Sequence, residues 1–239
     1  MNELSIVIPV LNESKNLRIL IPLILKEIKK YKITKIEVII VDDNSIDDTF
    51  KVINKIQKKN KKIKYYLRDR ENKDLSKSCI VGFEKSKYKN ILVMDGDLQH
   101  NPKYIFKIFN KFQKSKSDII VGSRDFLKKE NKGLSSIRKT FSIILIFIIN
   151  IVLGNKTNDP MSGFFLFKKK IFTENKNKLY GKGYKILADI IYSSKKDLKI
   201  IDYTIDFDRR KSGKSKMDIK ILILLINFMI IKSILRFVN

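Results

Sequence analysis

Ile91-Leu92-Val93-Met94-Asp95-Gly96-Asp97-Leu98-Gln99-His100 is the stretch on which the reading of this chain turns. Four apolar residues, too few for a helix, run into an acid–glycine–acid turn, so Ile91 to Met94 reads as a buried strand ending in Asp95. Upstream, the same grammar repeats. Leu4 to Val10 reads as a buried strand, and Leu17, Leu20, Ile21, Ile24, Leu25 and Ile28 follow at helical spacing, with Ser14 as N-cap and Pro22 as a kink. Ile36 to Val41 is a second β-branched strand, ending in Asp42-Asp43. Asp47 to Lys59 is read as a helix, Ile63 to Leu67 as a strand and Leu75 to Ser86 as a helix. Downstream come a helix over Pro102 to Phe112 and a strand over Asp118 to Val121. Strands alternating with helices imply an α/β fold whose mostly parallel sheet is covered on both faces. Such sheets bind ligands at the carboxyl ends of their strands. Asp42, Asp43, Asp95 and Asp97 all fall there, in a chain where acids are scarce.

The chain has 239 residues, 44% of them hydrophobic and 32% charged, which is enough to bury a core. Lys and Arg number 51 against 25 Asp and Glu, a formal charge of +26. That field favours polyanions: nucleic acid, nucleotide phosphates or an anionic membrane. Yet only eight of the basic residues are Arg, and a Lys-rich, Ile-rich, Asn-rich chain also fits compositional drift, so the charge alone decides nothing. The single cysteine, Cys79, excludes a disulfide framework and a Cys-rich zinc site. The single histidine, His100, excludes a multi-His metal site. Met1 to Ser5 carries no basic residue and Pro9 breaks the first apolar run, so no signal peptide is expected and the chain reads as cytosolic.

The second half differs. Phe141 to Leu153 is almost wholly apolar, with Arg138-Lys139 before it, and is too short to span a bilayer, which needs about 20 apolar residues. A buried helix and a helix lying in a membrane interface both fit it. Gly163 to Phe167 and Ile200 to Phe207 read as strands, and Tyr184 to Ser193 as a helix. The tail, Ile219 to Val238, is apolar but interrupted by Lys220, Lys232 and Arg236. No repeat and no Pro/Gly/Ser linker is visible. The organisation expected is one catalytic domain over residues 1–217, with an interface helix at about 134–153, followed by an apolar and basic C-terminal helix over 218–239.

Two carboxylates flanking Gly96 can reach one divalent cation, with the Gln99 amide oxygen as a third ligand. Mg²⁺ or Mn²⁺ prefers such oxygens and completes its shell with substrate phosphates. A polar loop closing a strand is the plainer reading of the same residues. In the pair Val7 to Glu13 and Ile40 to Ser45, carboxylates can hold a ribose hydroxyl or a base edge. Helix capping by Asn12 or Ser14 and Asx-turns by Asp42 to Asp48 explain them equally well. No G-x-x-x-x-G-K-[ST] and no G-x-G-x-x-G occurs.

Taken in order, the motifs resemble the family 2 glycosyltransferases, and within them the dolichol-phosphate mannosyltransferase-like group that glycosylates polyprenyl phosphates. The matching segments are Ile6 to Glu13, Val41 to Ser45, Gly82-Phe83, Met94 to Pro102, Ile119 to Arg124, Asp159 to Phe164, Gly183 to Leu187 and Phe207 to Lys216. Eight in order, spread over residues 4–217, make a specific signature. The chain departs from it at Leu11, where Tyr is frequent, at Asp48 and Asp74, where Gly is usual, and at Asp189, where many members carry Glu.

The resemblance implies a GT-A type, Rossmann-like nucleotide-binding fold with a C-terminal apolar interface helix. It implies Asp95, Asp97 and Gln99 as ligands of Mg²⁺ or Mn²⁺, with Asp95, Asp97 and Arg124 as the catalytic set. Pro9, Asn12, Glu13, Asp42, Asp43 and Asp95 would bind the nucleotide sugar. Arg124, Arg138, Arg210, Ser215 and Lys216 would bind the acceptor phosphate, a task for which the planar guanidinium is better shaped than Lys. His100 is expected to be structural. The activity implied is transfer of a hexose, mannose from GDP-mannose first and glucose from UDP-glucose second, to a polyprenyl or dolichyl phosphate. The protein is then expected on the cytoplasmic face of a membrane, peripheral, with an oligomer or a separate membrane subunit left open. Other family 2 acceptors are a rival reading, though they would not call for the Phe207 to Lys216 motif. Nucleic-acid binding is another, and dispersed Lys with no recognition module argues against it.

Overall fold

The computed structural model describes residues 3–31, 33–69, 72–124, 136–183, 185–194, 197–208 and 219–238. The first strand, β1 (Glu3–Val10), is followed by α1 (Ser14–Lys30), β2 (Lys35–Asp42), α2 (Thr49–Lys59), β3 (Ile63–Leu67), α3 (Leu75–Lys85), β4 (Asn90–Val93), α4 (Tyr104–Ser115) and β5 (Ile119–Arg124). Then come α5 (Ser136–Leu153), β6 (Phe165–Lys168), α6 (Lys169–Asn175), a short 3₁₀ turn, α7 (Ile186–Ser193), β7 (Ile200–Ile205) and α8 (Ile219–Val238). Seven strands form one sheet in the order β3-β2-β1-β4-β6-β5-β7. β6 runs antiparallel to both β4 and β5, and every other pairing is parallel. The expected α/β class and mostly parallel sheet are what the chain adopts.

Strand alternation explains how continuous apolar runs serve two faces. Leu4, Ile6, Ile8 and Val10 of β1 join Val38 and Ile40 of β2 in the core beneath α1, α2 and α4. Val7, Ile39 and Val41 point the other way, under α3, α6 and α7. Gly82 of α3 shows how tight that second face is: a Cβ there would lie 2.3 Å from a methyl of Val7. The Gly in the Gly82-Phe83 motif is thus a helix-on-sheet contact.

Several boundaries differ from the reading above for local reasons. Ser14 is the first residue of α1 instead of its cap. Its amide donates to the Asp47 carboxylate (3.0 Å) of the next βα loop, so the cap comes from 33 residues away. α1 runs on through Pro22. α6 was not anticipated: in Lys169–Asn175 only Ile171 and Phe172 are buried hydrophobics, too few to show a period. β6 starts at Phe165 because residues 159–163 are taken up by a turn described below.

α5 and α8 stand beside α7. Leu145, Ile149 and Leu153 of α5, at i, i+4 and i+8, are buried with Ala188 and Phe228. Phe147 and Ile151 of the same helix are 63% and 66% exposed, and Ile226, Ile230 and Ile234 of α8 are also exposed. Among the described residues no helix is long and apolar enough to cross a membrane. Lys232, one of the charges that interrupt the apolar tail, does not reach the surface. It is 2% exposed and pairs with the buried Asp189 of α7 at 2.8 Å. Burial of the Phe228 face of α8 carries the lysine inward with it.

Candidate active site

The carboxyl ends of β1, β2 and β4 lie side by side, and their loops are stitched together. Asn12 donates its amide to Ser45 Oγ (2.8 Å), and its Oδ1 accepts from the Ile46 amide (2.8 Å). Asn12 and Asn44 both hold left-handed backbone (φ 59° and 62°), a conformation Asn tolerates. The Glu13 amide donates to Thr49 Oγ1 (3.1 Å), and Glu13 Oε2 accepts from Asn16 Nδ2 (2.6 Å). Burial works to raise the Asp47 carboxyl, but hydrogen bonds from Thr49 and Ser14 outweigh it and hold it below its ordinary value. Pro9 is buried in β1, in register with Val41.

Asp42 and Asp43, at the end of β2, are both buried. Asp42 accepts from the Ser45 amide (2.9 Å) and the Tyr65 hydroxyl (2.9 Å). Asp43 is ion-paired with Arg68 and accepts from the Asp74 amide (2.6 Å). Burial pushes the Asp43 carboxyl up, although the Asp74 amide and Arg68 act against it. Arg68 and Asp74 carry no role in the sequence reading. Asp74 caps α3, its Oδ1 accepting from the Lys77 amide (3.1 Å), which gives a reason for an acid at a position where Gly is usual.

The Asp95–Gly96–Asp97 turn follows β4. Asp97 Oδ1 accepts from the Gln99 amide (3.1 Å), and Leu98 adopts φ 65°. Asp97 is buried, while the Asp95 side chain is 34% exposed. The far side of the turn is zipped to the segment after β7: His100 bridges Phe207, the Asp208 amide donates to Gln99 O (3.0 Å), and Gln99 Nε2 donates to Asp208 O (3.3 Å). So the Phe207 to Lys216 motif begins, at Phe207 and Asp208, beside the Asp95–Asp97 turn. Gln99, offered above as a metal ligand, turns its amide nitrogen to that backbone.

His100 is sealed between Phe164, stacked at 5.2 Å, and Phe207, edge-on at 5.5 Å. Desolvation lowers its pKa to about 4, against the pull of Asp97, so the ring is neutral at neutral pH. Its Nδ1 accepts from the Asp95 amide (3.4 Å). The residue orients the turn, in keeping with a structural role.

One loop joins this turn to Arg124. Asp159 is fully buried and takes Arg124 in a two-pronged pair, Nε to Oδ2 at 2.7 Å and Nη2 to Oδ1 at 2.8 Å. Burial disfavours the charge on Arg124, but Asp159 and Asp95 outweigh it and raise its pKa. The guanidinium carbon lies 5.6 Å over the Phe207 ring. Four residues after Asp159, Gly163 presses on Asp95: a Cβ there would fall 2.4 Å from Asp95 Oδ2. Sequence order alone links neither contact.

Of the predicted acceptor residues, Arg138 falls in the first turn of α5, and nothing of its side chain is described. Arg210, Ser215 and Lys216 lie outside the described residues. Lys185, quoted above only within a motif, is half-buried at the start of α7 and within the fields of Arg124, Asp159 and Asp95. Desolvation first, then Arg124, lowers its pKa to about 8. A group with that pKa is an ammonium below pH 8 and loses its charge above it. Binding of a diphosphate anion at this end of the sheet is therefore expected to weaken as pH climbs past 8, and Lys185→Met to remove that dependence. A titration of GDP affinity from pH 6.5 to 9.5 on both proteins checks this, and matching profiles would remove Lys185 from the site.

A hard divalent cation fits this donor set. Asp95 and Asp97 offer carboxylate oxygens across one glycine on a turn already braced by Gln99 and His100. Among the described residues no group of three or more His, Cys, Asp or Glu surrounds them. A site that supplies two carboxylates and leaves the remaining positions to phosphate and water suits Mg²⁺ or Mn²⁺.

A family model described as "Glycosyl transferase family 2" matches residues 5–175. A dolichol-phosphate mannosyltransferase of Pyrococcus furiosus is 32% identical over 217 residues, covering 90% of this chain and 59% of that protein. One of Mycosarcoma maydis is 26% identical, covering 91% and 74%. The chain thus spans less than two thirds of the archaeal relative. Among solved structures, glucosyl-3-phosphoglycerate synthase of Mycobacterium tuberculosis, bound to Mn²⁺ and uridine-diphosphate-glucose, superposes with a TM-score of 0.71 at 13% identity, over 97% of this chain and 78% of that one. That likeness carries the fold.

Proposed function

The chain belongs to glycosyl transferase family 2, and from that premise we propose that it transfers a hexose, mannose from GDP-mannose, to a polyprenyl phosphate at a membrane surface. The observation that carries this reading is the pairing of Gln99 and His100 with Asp208 and Phe207, which sets the first two residues of the Phe207 to Lys216 motif beside the Asp95–Asp97 turn. The start of the motif thus lies beside the carboxylates proposed for the donor diphosphate, and Arg210, Ser215 and Lys216, proposed for the acceptor phosphate, follow it in sequence. The named relatives are dolichol-phosphate mannosyltransferases and support the choice of donor and acceptor.

The chemistry asks little of a general base. A phosphate monoester has a second pKa near ~6, so the lipid phosphate oxygen is already anionic at neutral pH. This suits a site whose one histidine is buried and neutral. Direct attack on the anomeric carbon inverts its configuration. Asp95 and Asp97 would hold a Mg²⁺ or Mn²⁺, whose charge stabilises the departing diphosphate. Arg124, fixed by Asp159, adds positive charge at the same end of the sheet. Asp42, Asp43, Asn12 and Glu13 form the wall on the donor nucleoside side.

The exposed apolar faces of α5 and α8 support a peripheral attachment to the cytoplasmic leaflet, with the surplus of Lys drawn to anionic headgroups. UDP-glucose is the second reading for the donor, favoured by the fold's likeness to an enzyme solved with that nucleotide sugar. One preparation tests both parts. Purified protein is floated with anionic liposomes carrying a short polyprenyl phosphate, then given radiolabelled GDP-mannose or UDP-glucose. Flotation that carbonate reverses, and label in the lipid from GDP-mannose, are expected. Label from UDP-glucose alone would move the assignment to the second donor, and label from neither would end the lipid-acceptor reading.

A further inference from the structure

α8 is docked by a stripe that has nothing to do with lipid. Leu224, Phe228 and Lys232, spaced at i, i+4 and i+8, face the catalytic domain, whereas Ile226, Ile230 and Ile234 face outward. Lys232 ends this stripe in a polar nest: its Nζ donates to Lys178 O (2.8 Å) and Ser193 Oγ (2.6 Å) and pairs with Asp189 (2.8 Å). A buried lysine so fully satisfied is rare, and it persists only where its partners hold it.

Asp189 carries the connection onward. Its Oδ1 accepts from the Tyr180 amide (3.0 Å) and its Oδ2 from the Gly181 amide (2.7 Å). Two residues on, the Gly183 amide donates to Asp74 Oδ2 (2.7 Å), and Gly183 O accepts from the Ser76 amide (2.9 Å). The Asp74 amide in turn donates to Asp43 Oδ2 (2.6 Å). Gly181 and Gly183 both have left-handed backbone (φ 64° and 84°), so the segment's path depends on these anchors. Leu224 of α8 closes over it, 3.6 Å from where a Cβ on Gly183 would sit. Hydrogen bonds at either end of the short backbone segment 181–183 thus connect α8 with the carboxylate at the end of β2.

We propose that Lys232 is a positioning residue for the donor nucleotide: through Asp189 it fixes residues 179–183, and these fix Asp74 and Asp43. The inference rests on the donor-site reading of Asp43 given above. It makes α8 part of the nucleotide site at a distance. A charge within an apolar tail then has a task inside the protein, and whatever dislodges α8 loosens donor binding.

The test is GDP and UDP affinity of the full chain, by calorimetry with Mn²⁺ and without lipid, alongside amide hydrogen exchange. Lys232→Met leaves Asp189 buried and unpaired, and is expected to raise the nucleotide Kd about tenfold. It should also speed exchange at the 179–183 and 74–78 amides with the α1–β2 core unaffected. Leu224→Ala, a gentler lesion on the same stripe, should raise Kd severalfold, and Ile230→Ala on the outward face should leave it unchanged. If Lys232→Met does not fold, Leu224→Ala against Ile230→Ala decides. Wild-type affinity in a folded Lys232→Met, or equal effects of the two α8 truncations, would overturn the proposal. Should the wild type bind neither nucleotide, the donor reading fails on its own. Exchange at residues 74–78 then judges the coupling: faster supports it, unchanged sinks it.

Discussion

Gly163→Ala is expected to cost a hundredfold or more in transfer while leaving the fold standing. The added methyl would lie 2.4 Å from Asp95 Oδ2 and 2.8 Å from its Cγ, a separation no real pair of atoms tolerates. The carboxylate must move, and being 34% exposed it has somewhere to go, so the core is spared. Its partner Asp97 stays on the braced turn, and the two oxygens would no longer be placed for one cation. A displacement of about 1 Å in a reacting constellation can cost ~10²-fold. The signature sought is low activity at saturating Mn²⁺ with an unchanged melting temperature. Asp97→Ala should be lower still, and EDTA should bring the wild type to the same floor. A Gly163→Ala enzyme within twofold of wild type, or a wild type indifferent to EDTA, would refute the placement of the metal at Asp95.

The second large effect concerns stability. Asp159→Asn should destabilise the protein by about 3–5 kcal/mol, the usual penalty for leaving one member of a buried pair without its counter-charge. Arg124 has an exposure of 13% and Asp159 none, so solvent cannot compensate. Against a typical total of about 5–15 kcal/mol, such a loss is visible in any urea titration. Arg124→Lys should fall between wild type and Asp159→Asn, because a single ammonium cannot meet both carboxylate oxygens in the two-pronged geometry. The activity of Arg124→Lys, measured well below its own melting point, then reports what the guanidinium does for phosphate apart from its grip on Asp159. A cost under about 1 kcal/mol for Asp159→Asn would mean that the pair is not the anchor it looks to be.

What could be read from residue order was whatever is encoded within a few neighbours. Ile63–Leu67 was delimited to the residue, and the other main strands to within a few, because period and punctuation are local. The Asp95–Asp97 turn, the acids after β2 and the parallel character of the sheet were legible for the same reason. The partners of those acids were not. Asp43 meets Arg68 and Asp74, Arg124 meets Asp159, and Asp95 meets Gly163 across separations of 25 to 68 residues, and no local pattern records which chain segment will arrive. The antiparallel β6, inserted between β4 and β5, is what brings Gly163 onto Asp95. Lys232 makes the same point from the other direction. By composition it interrupts an apolar helix and belongs in water. Only the tertiary fold supplies Asp189, Ser193 and a backbone carbonyl at one point in space, and with them a lysine is held in the interior.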